Sequence, residues 1–569
     1  MNSNNNHKII IYQVLPRLVH KALPTEVYNG TIEQNGCGKL NDISNQMLRS
    51  IAKLGATHVW LTGVIEHATM TDYSSQGIAS SNPHVVKGRA GSPYAIRDYY
   101  DIDPDLAVDV EHRLDEFKQL VQRIHDNGLK VIIDFVPNHV ARQYHSDAAP
   151  AGVEDLGQGD NKGMFFDPQN NFFYITGQPF TPVGVDLGSG EGRYQEFPAK
   201  ATGNDCFNAS PGNNDWYETV KLNYGIDPWN GSRHFNPVPC TWHKMLSILQ
   251  YWAVMDIDGF RCDMAHMVPV EFWQWAIGQV KAQHPGIIFI AEIYDVNLYA
   301  DYVHRGGFDY LYDKVTLYDT LCAISKNQAP ASQLTRCWQT VEGLQNHMLN
   351  FLENHDEPRL ASPHHVWHVR RTVPAAVVSA TMSGCPFMLY AGQEFGEQAL
   401  GRQGFSGDDG RTSIFDYCSV PTLSSCLKQC KDGLHVSLTH IDPRSRQLYD
   451  FYCRLLNVCN TEPALGPEGK FFDLMYVNHD TLNPDTQFAY LRSLGHDLLL
   501  IVANFGDDYT VAHVRIPDHA FSFLGFGQGT FEASELLTGT KASLELVPDK
   551  PTSVSVAAHN TVILKIVTE

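Results

Sequence analysis

Short apolar runs alternate with amphipathic stretches along most of the chain. The apolar runs are rich in β-branched and aromatic residues, as is typical of parallel strands that are buried on both faces. The stretches between them have helical periodicity, for example at 44–56 and at 114–130, where Asn127-Gly128 is a stop signal. Repeated strand–helix units predict an α/β fold, a closed (β/α)8 TIM barrel. The predicted strands are 9–14, 58–64, 130–136, 257–264, 287–293, 308–315, 348–354 and 387–394.

Two regions depart from this rhythm. The residues between His139 and Asp227 are rich in Gly, Asn, Asp and aromatics, and a plain loop of that length is unusual in a compact domain, so we expect an inserted subdomain after strand 3. Beyond residue 465, alternating runs such as 486–494 and 561–567 predict a C-terminal antiparallel β-sandwich. The expected division is barrel at 1–139, insert (domain B) at 140–227, barrel at 228–465 and sandwich at 466–569.

Composition limits the partners that the chain can bind. The formal net charge of -21 at pH 7 disfavours nucleic acid and anionic membranes. No run approaches the roughly 18 uninterrupted apolar residues that span a bilayer, and the start has no basic leader before a long apolar stretch. We therefore expect a cytoplasmic protein, and the sequence does not indicate its number of subunits. Its 12 cysteines include no CxxC pair and are expected to be mainly free structural thiols.

Three of the apolar runs deliver an acidic residue where they end: Asp263, Glu292 and Asp356. Because the carboxyl ends of barrel strands meet at one face, we expect the three carboxyl groups to lie together. Breaking a glycosidic bond requires one carboxyl group to protonate the leaving oxygen and another to face the oxocarbenium-like centre. The three runs together indicate sugar chemistry, whereas each alone would more simply be a structural ion pair or a solvated acid.

Arg261 lies two residues before Asp263, so both side chains point to the same face of the strand. We expect the guanidinium group to keep Asp263 ionised, as a nucleophile requires. The residues before Glu292 are apolar, and such surroundings are expected to raise the pKa of its carboxyl group, which suits a general acid.

Three further side chains are candidates for binding a sugar. His139 and His355 end the third and seventh predicted strands, each beside a polar residue, and are expected to donate to sugar hydroxyls. Tyr94 lies in the stretch at 91–104 and offers an aromatic face on which a sugar ring could stack. Taken singly, either histidine would more simply be a satisfied core or surface residue, and the tyrosine would be ordinary packing.

Four motifs, in this order, resemble the signature regions of the α-amylase superfamily of glycoside hydrolases (a family 13-type barrel). They are DFVPNH (134–139), GFRCDMAH (259–266), the Glu of IAEIY (290–294) and NHD (354–356). VWLTGV (59–64), VKLNYG (220–225) and MLYAGQE (388–394) resemble its secondary regions, so the resemblance covers nearly the whole chain. It implies a retaining enzyme that acts on α-linked glucans through a covalent β-glycosyl intermediate.

The resemblance also implies a role for each matching residue. Asp263 resembles the nucleophile, Glu292 the general acid/base and Asp356 the transition-state stabiliser. Arg261, His139 and His355 match residues that line the −1 subsite, and Tyr94 matches its stacking platform. Where many relatives have Lys-His, three and four residues after the nucleophile, this chain has His266 and Met267. His266 is therefore a substrate-binding candidate whose acceptor-side preference does not carry over.

No cofactor is expected for the chemistry, but the resemblance raises the question of structural calcium. The family's site often uses the Asn at position 138, acids of the insert and a backbone carbonyl near Met267. Asp155, Asp160 and Asp186 are the candidate acids, and they do not form a convincing ligand set. Whether the chain binds a structural calcium ion is therefore left undecided, although its absence is favoured. Asn138 is the candidate ligand if the ion is present.

The favoured function is hydrolysis of α-1,4-glucosidic bonds in starch, maltodextrin or related α-glucans. One alternative is an α-glucan transglycosylase or a disaccharide-active member of the same superfamily. Another is a catalytically silent carbohydrate-binding relative, against which the three filled acid positions argue. The linkage preference (α-1,4 or α-1,6), endo or exo attack and the preferred chain length are left open.

Overall fold

The structure, a computed structural model, describes residues 8–20, 26–366, 368–399, 407–427, 436–438 and 441–568. Its centre is a closed barrel of eight parallel strands, β1 to β8, in which each strand pairs with the next and β8 pairs with β1. The predicted TIM barrel is therefore confirmed, with each of its strands inside a predicted run. The strands are Ile10–Val14, His58–Leu61, Lys130–Phe135, Gly259–Cys262, Ile288–Ala291, Tyr310–Tyr312, Met348–Phe351 and Phe387–Tyr390.

Helices surround the barrel, and the two that the sequence predicted at 44–56 and 114–130 are present as α2 (Asn45–Leu54) and α3 (Arg113–Asp126). The hydroxyl of Ser44 accepts a hydrogen bond from the Met47 amide at the start of α2, and Gly55 ends the helix in the left-handed conformation. No helix in the described ranges has the length and apolar composition to cross a membrane. Helices α1 to α12 are Ile32–Asn35, Asn45–Leu54, Arg113–Asp126, Cys240–Ala253, Val270–Gln283, Tyr299–His304, Asp319–Ser325, Gln333–Thr340, Val373–Thr381, Pro421–Leu427, Pro443–Thr461 and Asp518–Leu524.

Alternate residues of the strands fill the barrel with apolar side chains. Because side chains on a strand alternate, the residue two positions further on points to the same side, one level nearer the carboxyl end. Asp134 follows Ile132 in this way, and Glu292 follows Ile290. The side chains inside the barrel thus change from apolar to polar between one residue and the next one on the same face of a strand, two positions further on. The interior residues include Ile11, Trp60, Ile132, Ile290, Leu349 and Met388.

The connection between β3 and β4 is long and mainly irregular, as predicted. Two short antiparallel pairs lie within it, His139–Ala141 with Thr219–Lys221 and Tyr174–Ile175 with Ala199–Lys200. A third pair, Ile65–His67 with Ile96–Ile102, follows β2. The connection has an apolar cluster that includes Ile175, Phe180, Leu187, Tyr194, Ala199 and Tyr217.

The C-terminal region is antiparallel, as predicted for a sandwich. Strands β9 to β16 form a six-stranded sheet in the order β9-β10-β11-β16-β13-β14 and a two-stranded sheet of β12 and β15. The buried guanidinium group of Arg492 in β10 donates to the carbonyls of Met382, Ala464 and Gly466, which ties the sheet to the residues before it. The strands are Lys470–Asp473, Gln487–Leu494, Asp497–Asn504, Thr510–Val514, Gly529–Glu535, Lys541–Leu546, Thr552–Val556 and Asn560–Val567.

The cysteines within the described ranges are free thiols, and most of them are buried. Cys430 lies outside those ranges. This agrees with the prediction of structural thiols for the residues that the structure describes.

Candidate active site

Arg261 joins two of the three predicted acids at the carboxyl end of the barrel. Asp263 follows β4 and Glu292 follows β5 directly, so both side chains emerge at the mouth. The fully buried guanidinium group donates from Nη1 to Asp263 Oδ1 at 2.8 Å, and its Nη2 lies 2.9 Å from Glu292 Oε2. The shared strand face that the sequence predicted for Arg261 and Asp263 is thus a direct contact, and Glu292 is held by the same group.

Asp263 and Glu292 are both nearly inaccessible, with relative exposures of 6% and 3%. Burial raises the pKa of Asp263 well above its usual value, the Glu292 carboxylate raises it further, and Arg261 opposes both. The expectation that Arg261 keeps Asp263 ionised was therefore incomplete, because one guanidinium group serves two buried carboxyl groups.

Asp356 follows β7 and is the most open of the three acids, with a side chain 39% exposed. Its Oδ2 lies 2.9 Å from His355 Nε2, and its backbone amide donates to Asn354 Oδ1. Burial acts to raise the pKa of Asp356, but His355 and Arg261 outweigh it and the net shift is downward. Asp356 is therefore an ionised carboxylate close to Arg261.

The carboxyl group of Glu292 has polar neighbours. Its Oε2 accepts from the Met264 amide at 2.8 Å, and its Oε1 accepts from the Tyr294 hydroxyl at 2.5 Å. Met264 has φ of 44°, a left-handed conformation that non-glycine residues seldom adopt. Of the apolar residues before Glu292, Ile288 and Ile290 line the barrel beneath it, while Phe289 and Ala291 pack in the core outside the barrel. The apolar run therefore predicts a strand buried on both faces rather than the surroundings of the carboxyl group.

Tyr94 and His355 form a stacked pair beside the acids. Their ring centroids lie 5.2 Å apart at 27°, and the Tyr94 hydroxyl is 2.5 Å from His355 Nε2. The Cζ of Arg261 lies 5.3 Å from the centroid of the Tyr94 ring, and Gln13 Nε2 is 2.7 Å from His355 Nδ1. Tyr94, a predicted site residue distant in sequence from the acids, thus lies beside the arginine that contacts Asp263 and Glu292.

His139 and His266 flank the mouth from the third and fourth loops. Burial and the nearby Lys221 lower the pKa of His139 to about 3, so its imidazole is neutral near neutral pH. The His266 ring is partly exposed, and its Nδ1 lies 3.4 Å from the Glu292 carbonyl. Both histidines can therefore offer ring nitrogens to a neutral hydroxylated ligand.

Five residues at this mouth were not assigned to the site from the sequence. Tyr312 accepts a hydrogen bond from Arg261 Nε at 3.1 Å, and Asp134, which accepts from Trp60 Nε1, lies 3.6 Å from Arg261 Nη1. A usable signal exists for Asp134 and Gln13, because each lies two positions after a residue that fills the barrel. The five are Gln13, Trp60, Asp134, Tyr294 and Tyr312.

The predicted calcium ligand Asn138 meets a lysine. Lys221 Nζ lies 2.5 Å from Asn138 Oδ1 and 2.6 Å from Asp205 Oδ1, and it also donates to the Met267 carbonyl at 3.4 Å. Two of these oxygens, from Asn138 and Asp205, belong to distant parts of the long connection after β3, and the third, from Met267, belongs to the loop after β4. Their point of convergence already holds a positive charge.

The acids considered for calcium from the sequence hold other contacts. Asp155 accepts from the Ser146 amide, Asp160 from the Asn171 amide and Asp186 from the Gly188 amide. The acid beside Asn138 is instead Asp205, whose Oδ1 lies 2.6 Å from Lys221 Nζ and which was not among the predicted ligands. The residues present do not fit calcium at this point, because an ammonium group takes the oxygen atoms that a metal would need.

Comparison with known proteins places this barrel in a family. A family model described as "Alpha amylase, catalytic domain" matches residues 13–167 and 238–415, together more than half of the chain. The chain belongs to the alpha-amylase family. The resemblance drawn from the four motifs is thereby confirmed, and the two matched segments leave out most of the long connection and the C-terminal sheets.

Individual relatives of the family are distant in sequence. Alpha-amylase MalA of Haloarcula japonica is 24% identical over 475 residues, which cover 82% of this chain and 53% of MalA. The chain spans about half the length of the curated relatives that it matches.

Solved structures share the whole architecture. The noncanonic maltogenic alpha-amylase AmyB from Thermotoga neapolitana has a TM-score of 0.62 at 20% identity, with all of both chains covered. The alpha-amylase GTA from Geobacillus thermoleovorans, complexed with acarbose, has a TM-score of 0.63 at 18% identity over 100% of this chain and 99% of that chain. At these identities the likeness shows the fold.

Proposed function

We propose that this chain is a retaining glycoside hydrolase that cleaves α-1,4-glucosidic bonds in starch, maltodextrin or related α-glucans. The observation that carries the proposal is the meeting of Asp263, Glu292 and Asp356 around the buried Arg261 at the mouth of the barrel. Retaining enzymes need two carboxyl groups about 5–5.5 Å apart. Two acids held by neighbouring nitrogens of one guanidinium group are suited to such a spacing.

In the first step, Asp263 is the nucleophile and Glu292 is the acid. Glu292 donates its proton to the glycosidic oxygen while an Asp263 carboxylate oxygen attacks C1, and the bond from C1 to the leaving oxygen breaks. The product is a β-glycosyl ester of Asp263 and a shortened glucan. Asp356, whose pKa is lowered, places a negative charge near the oxocarbenium-like centre of the transition state.

In the second step, Glu292 acts as the base. Its carboxylate takes a proton from water, the water oxygen attacks C1, and the ester bond to Asp263 breaks. Two inversions return the sugar to the α configuration, and Glu292 regains the proton that it started with. The cycle thus starts and ends with a proton on Glu292 and an ionised Asp263.

The remaining site residues bind the sugar that is cleaved. Tyr94 provides a stacking face in the −1 subsite, while Arg261, His139 and His355 line the same subsite and offer donors to its hydroxyls. His266, whose Nδ1 lies 3.4 Å from the Glu292 carbonyl, is a further candidate for contact with the substrate. The net charge of -21 is compatible with a neutral glucan and argues against a nucleic-acid partner.

The names of relatives support an α-glucan as substrate. MalA is an alpha-amylase, and a neighbour of the same fold is an alpha-amylase complexed with acarbose. In this proposal residues 140–227 act as domain B, an insert that shapes the cleft between barrel segments 1–139 and 228–465, and residues 466–569 close the chain as a sandwich.

The test is release of reducing sugar from soluble starch by the Asp263→Asn variant. We expect activity to fall by several orders of magnitude while the Tm is kept, because an amide cannot act as the nucleophile. Asp258→Asn is the matched control: Asp258 precedes the same strand at its amino end and contacts His125 at 2.9 Å. Equal losses in both variants, or an active Asp263→Asn, would overturn the assignment.

The products distinguish hydrolysis from the alternatives. On maltoheptaose, hydrolysis gives only shorter α-anomers, whereas products longer than the substrate would indicate a transglycosylase. Cleavage of pullulan reports on α-1,6 bonds. Tight glucan binding without any turnover would instead indicate a carbohydrate-binding relative.

A further inference from the structure

The junction of Asn138, Asp205 and Met267 contains a cation that is part of the chain. We propose that the ammonium group of Lys221 takes the place of a structural calcium ion there, so that the third and fourth loops of the barrel are held without a metal. The proposal concerns the stability of the fold and does not depend on the activity proposed above.

The geometry is that of a buried cation with converging oxygen atoms. Lys221 ends the short strand Thr219–Lys221, and its side chain is only 9% exposed. Its Nζ contacts Asn138 Oδ1 at 2.5 Å, Asp205 Oδ1 at 2.6 Å and the Met267 carbonyl at 3.4 Å. An ammonium group has three protons to donate, and three oxygens from three separate segments surround it.

A metal ion and this lysine exclude one another. Calcium takes six to eight oxygen ligands at about 2.3–2.6 Å. An ion bound by Asn138 Oδ1 and Asp205 Oδ1 would have to lie where Lys221 Nζ lies, against the repulsion of a full positive charge. Asp205 is the one carboxylate in contact with Nζ among the described residues, and its side chain is 48% exposed. One carboxylate balances an ammonium group but leaves a divalent ion with excess charge.

The junction lies directly behind the mouth of the barrel. Asn138 precedes His139, and its Nδ2 lies 3.1 Å from His139 Nδ1 and donates to the Gly203 carbonyl at 2.7 Å. Met267 follows His266 on the loop that begins at Asp263. Lys221 is therefore a positioning residue, which links the segments that present His139 and His266, and its polar contacts among the described residues are with Asn138, Asp205 and Met267 rather than with Asp263, Glu292 or Asp356.

Two substitutions separate the charge of Lys221 from its volume. Lys221→Met keeps most of the stem and removes the charge, while Lys221→Ala also opens a space lined by the three oxygens. The same two substitutions at Lys87, whose Nζ pairs with Glu218 at 2.8 Å in the same region, are the matched controls. Tm is measured for full-length wild type and each variant in EDTA and in millimolar CaCl2, and the calcium content of the purified wild type is measured by mass spectrometry.

We expect wild type to contain no stoichiometric calcium and to have the same Tm in EDTA and in CaCl2. Both Lys221 variants should lose several degrees of Tm, more than the Lys87 variants, and CaCl2 should raise the Tm of Lys221→Ala alone. If Lys221→Ala does not fold, Lys221→Met and the wild-type measurements still decide. The proposal is overturned if EDTA lowers the wild-type Tm, if Lys221→Met is as stable as wild type, or if a folded Lys221→Ala does not respond to CaCl2.

Discussion

The sharpest consequence of the site geometry concerns Arg261 and pH. In Arg261→Met the buried stem is largely kept, while the guanidinium group that stabilises the Asp263 carboxylate is lost. Arg261 acts to lower the pKa of Asp263 against burial and the charge of Glu292. Without it that pKa rises, so the fraction of ionised Asp263 at a given pH falls. The acidic limb of the pH–activity profile should therefore move to higher pH.

The size of the shift follows from the contact. A unit charge pair about 4 Å apart at an effective dielectric constant of about 20 is worth about 4 kcal/mol, or about 3 pKa units. That is an upper limit, because Arg261 also contacts Glu292, whose Oε2 lies 2.9 Å from its Nη2, so its charge is not devoted to Asp263 alone. We expect the acidic limb to move by at least about 1 pH unit. The Tm should also fall, since removing one partner of a buried ion pair costs about 3–5 kcal/mol.

The assay is kcat/KM for reducing-sugar release from starch between about pH 4 and pH 9. Arg359→Met is the matched control, because Arg359 is equally buried, contacts Glu353 at 2.9 Å and lies 4.0 Å from the Tyr390 ring. Arg359→Met should lose about as much Tm as Arg261→Met and leave the acidic limb of the pH–activity profile where it is in wild type. An acidic limb in Arg261→Met that superimposes on wild type would refute the reasoning.

Two further outcomes follow from individual side chains. Glu292→Gln should lower kcat/KM on starch by about 10²–10⁴-fold. On a maltosyl fluoride, whose leaving group needs no proton, the variant should show a burst of fluoride release followed by slow turnover. Equal losses on both substrates would contradict the role of Glu292 as the acid. Burial, with Asp98 and Asp101, raises the pKa of Glu66 to about 9. A folded-state pKa above the ordinary 4.5 means that stability is lost as pH rises from about 4.5 to 9. Glu66→Gln should therefore have a Tm that exceeds that of wild type increasingly towards pH 9, and parallel Tm curves would refute this.

Much of the barrel and the pair Arg261 and Asp263 were predictable because strand geometry is local. An apolar run of β-branched residues is a strand wherever it is buried on both faces, and its side chains alternate with a period of two. That period alone places Arg261 and Asp263 on one face, and it puts Glu292 one step beyond Ile290. The alternating pattern beyond residue 465 predicted antiparallel sheet for the same reason.

The surroundings of Glu292 and the shared use of Arg261 were not predictable from those runs. Tyr294, two positions after Glu292, lies beyond the apolar run, and Tyr312 reaches Arg261 only because β4, β5 and β6 are neighbours in the closed barrel. The sequence indicated an apolar approach to Glu292, which is correct for the strand and does not describe its carboxyl group. The balance of burial and charge on Asp263 likewise depends on distances between strands.

The sequence by itself determined which residues leave each strand at the mouth of the barrel, because alternation is a property of the backbone. Only the tertiary structure decided which loops meet there: Tyr94 contacts His355 across 261 positions, and Lys221 reaches Asn138 across 83. Those contacts depend on closure of the barrel and on the packing of the long connection against it. For that reason Asp205 and Lys221, which no local pattern distinguishes from surface charges, come together behind the site.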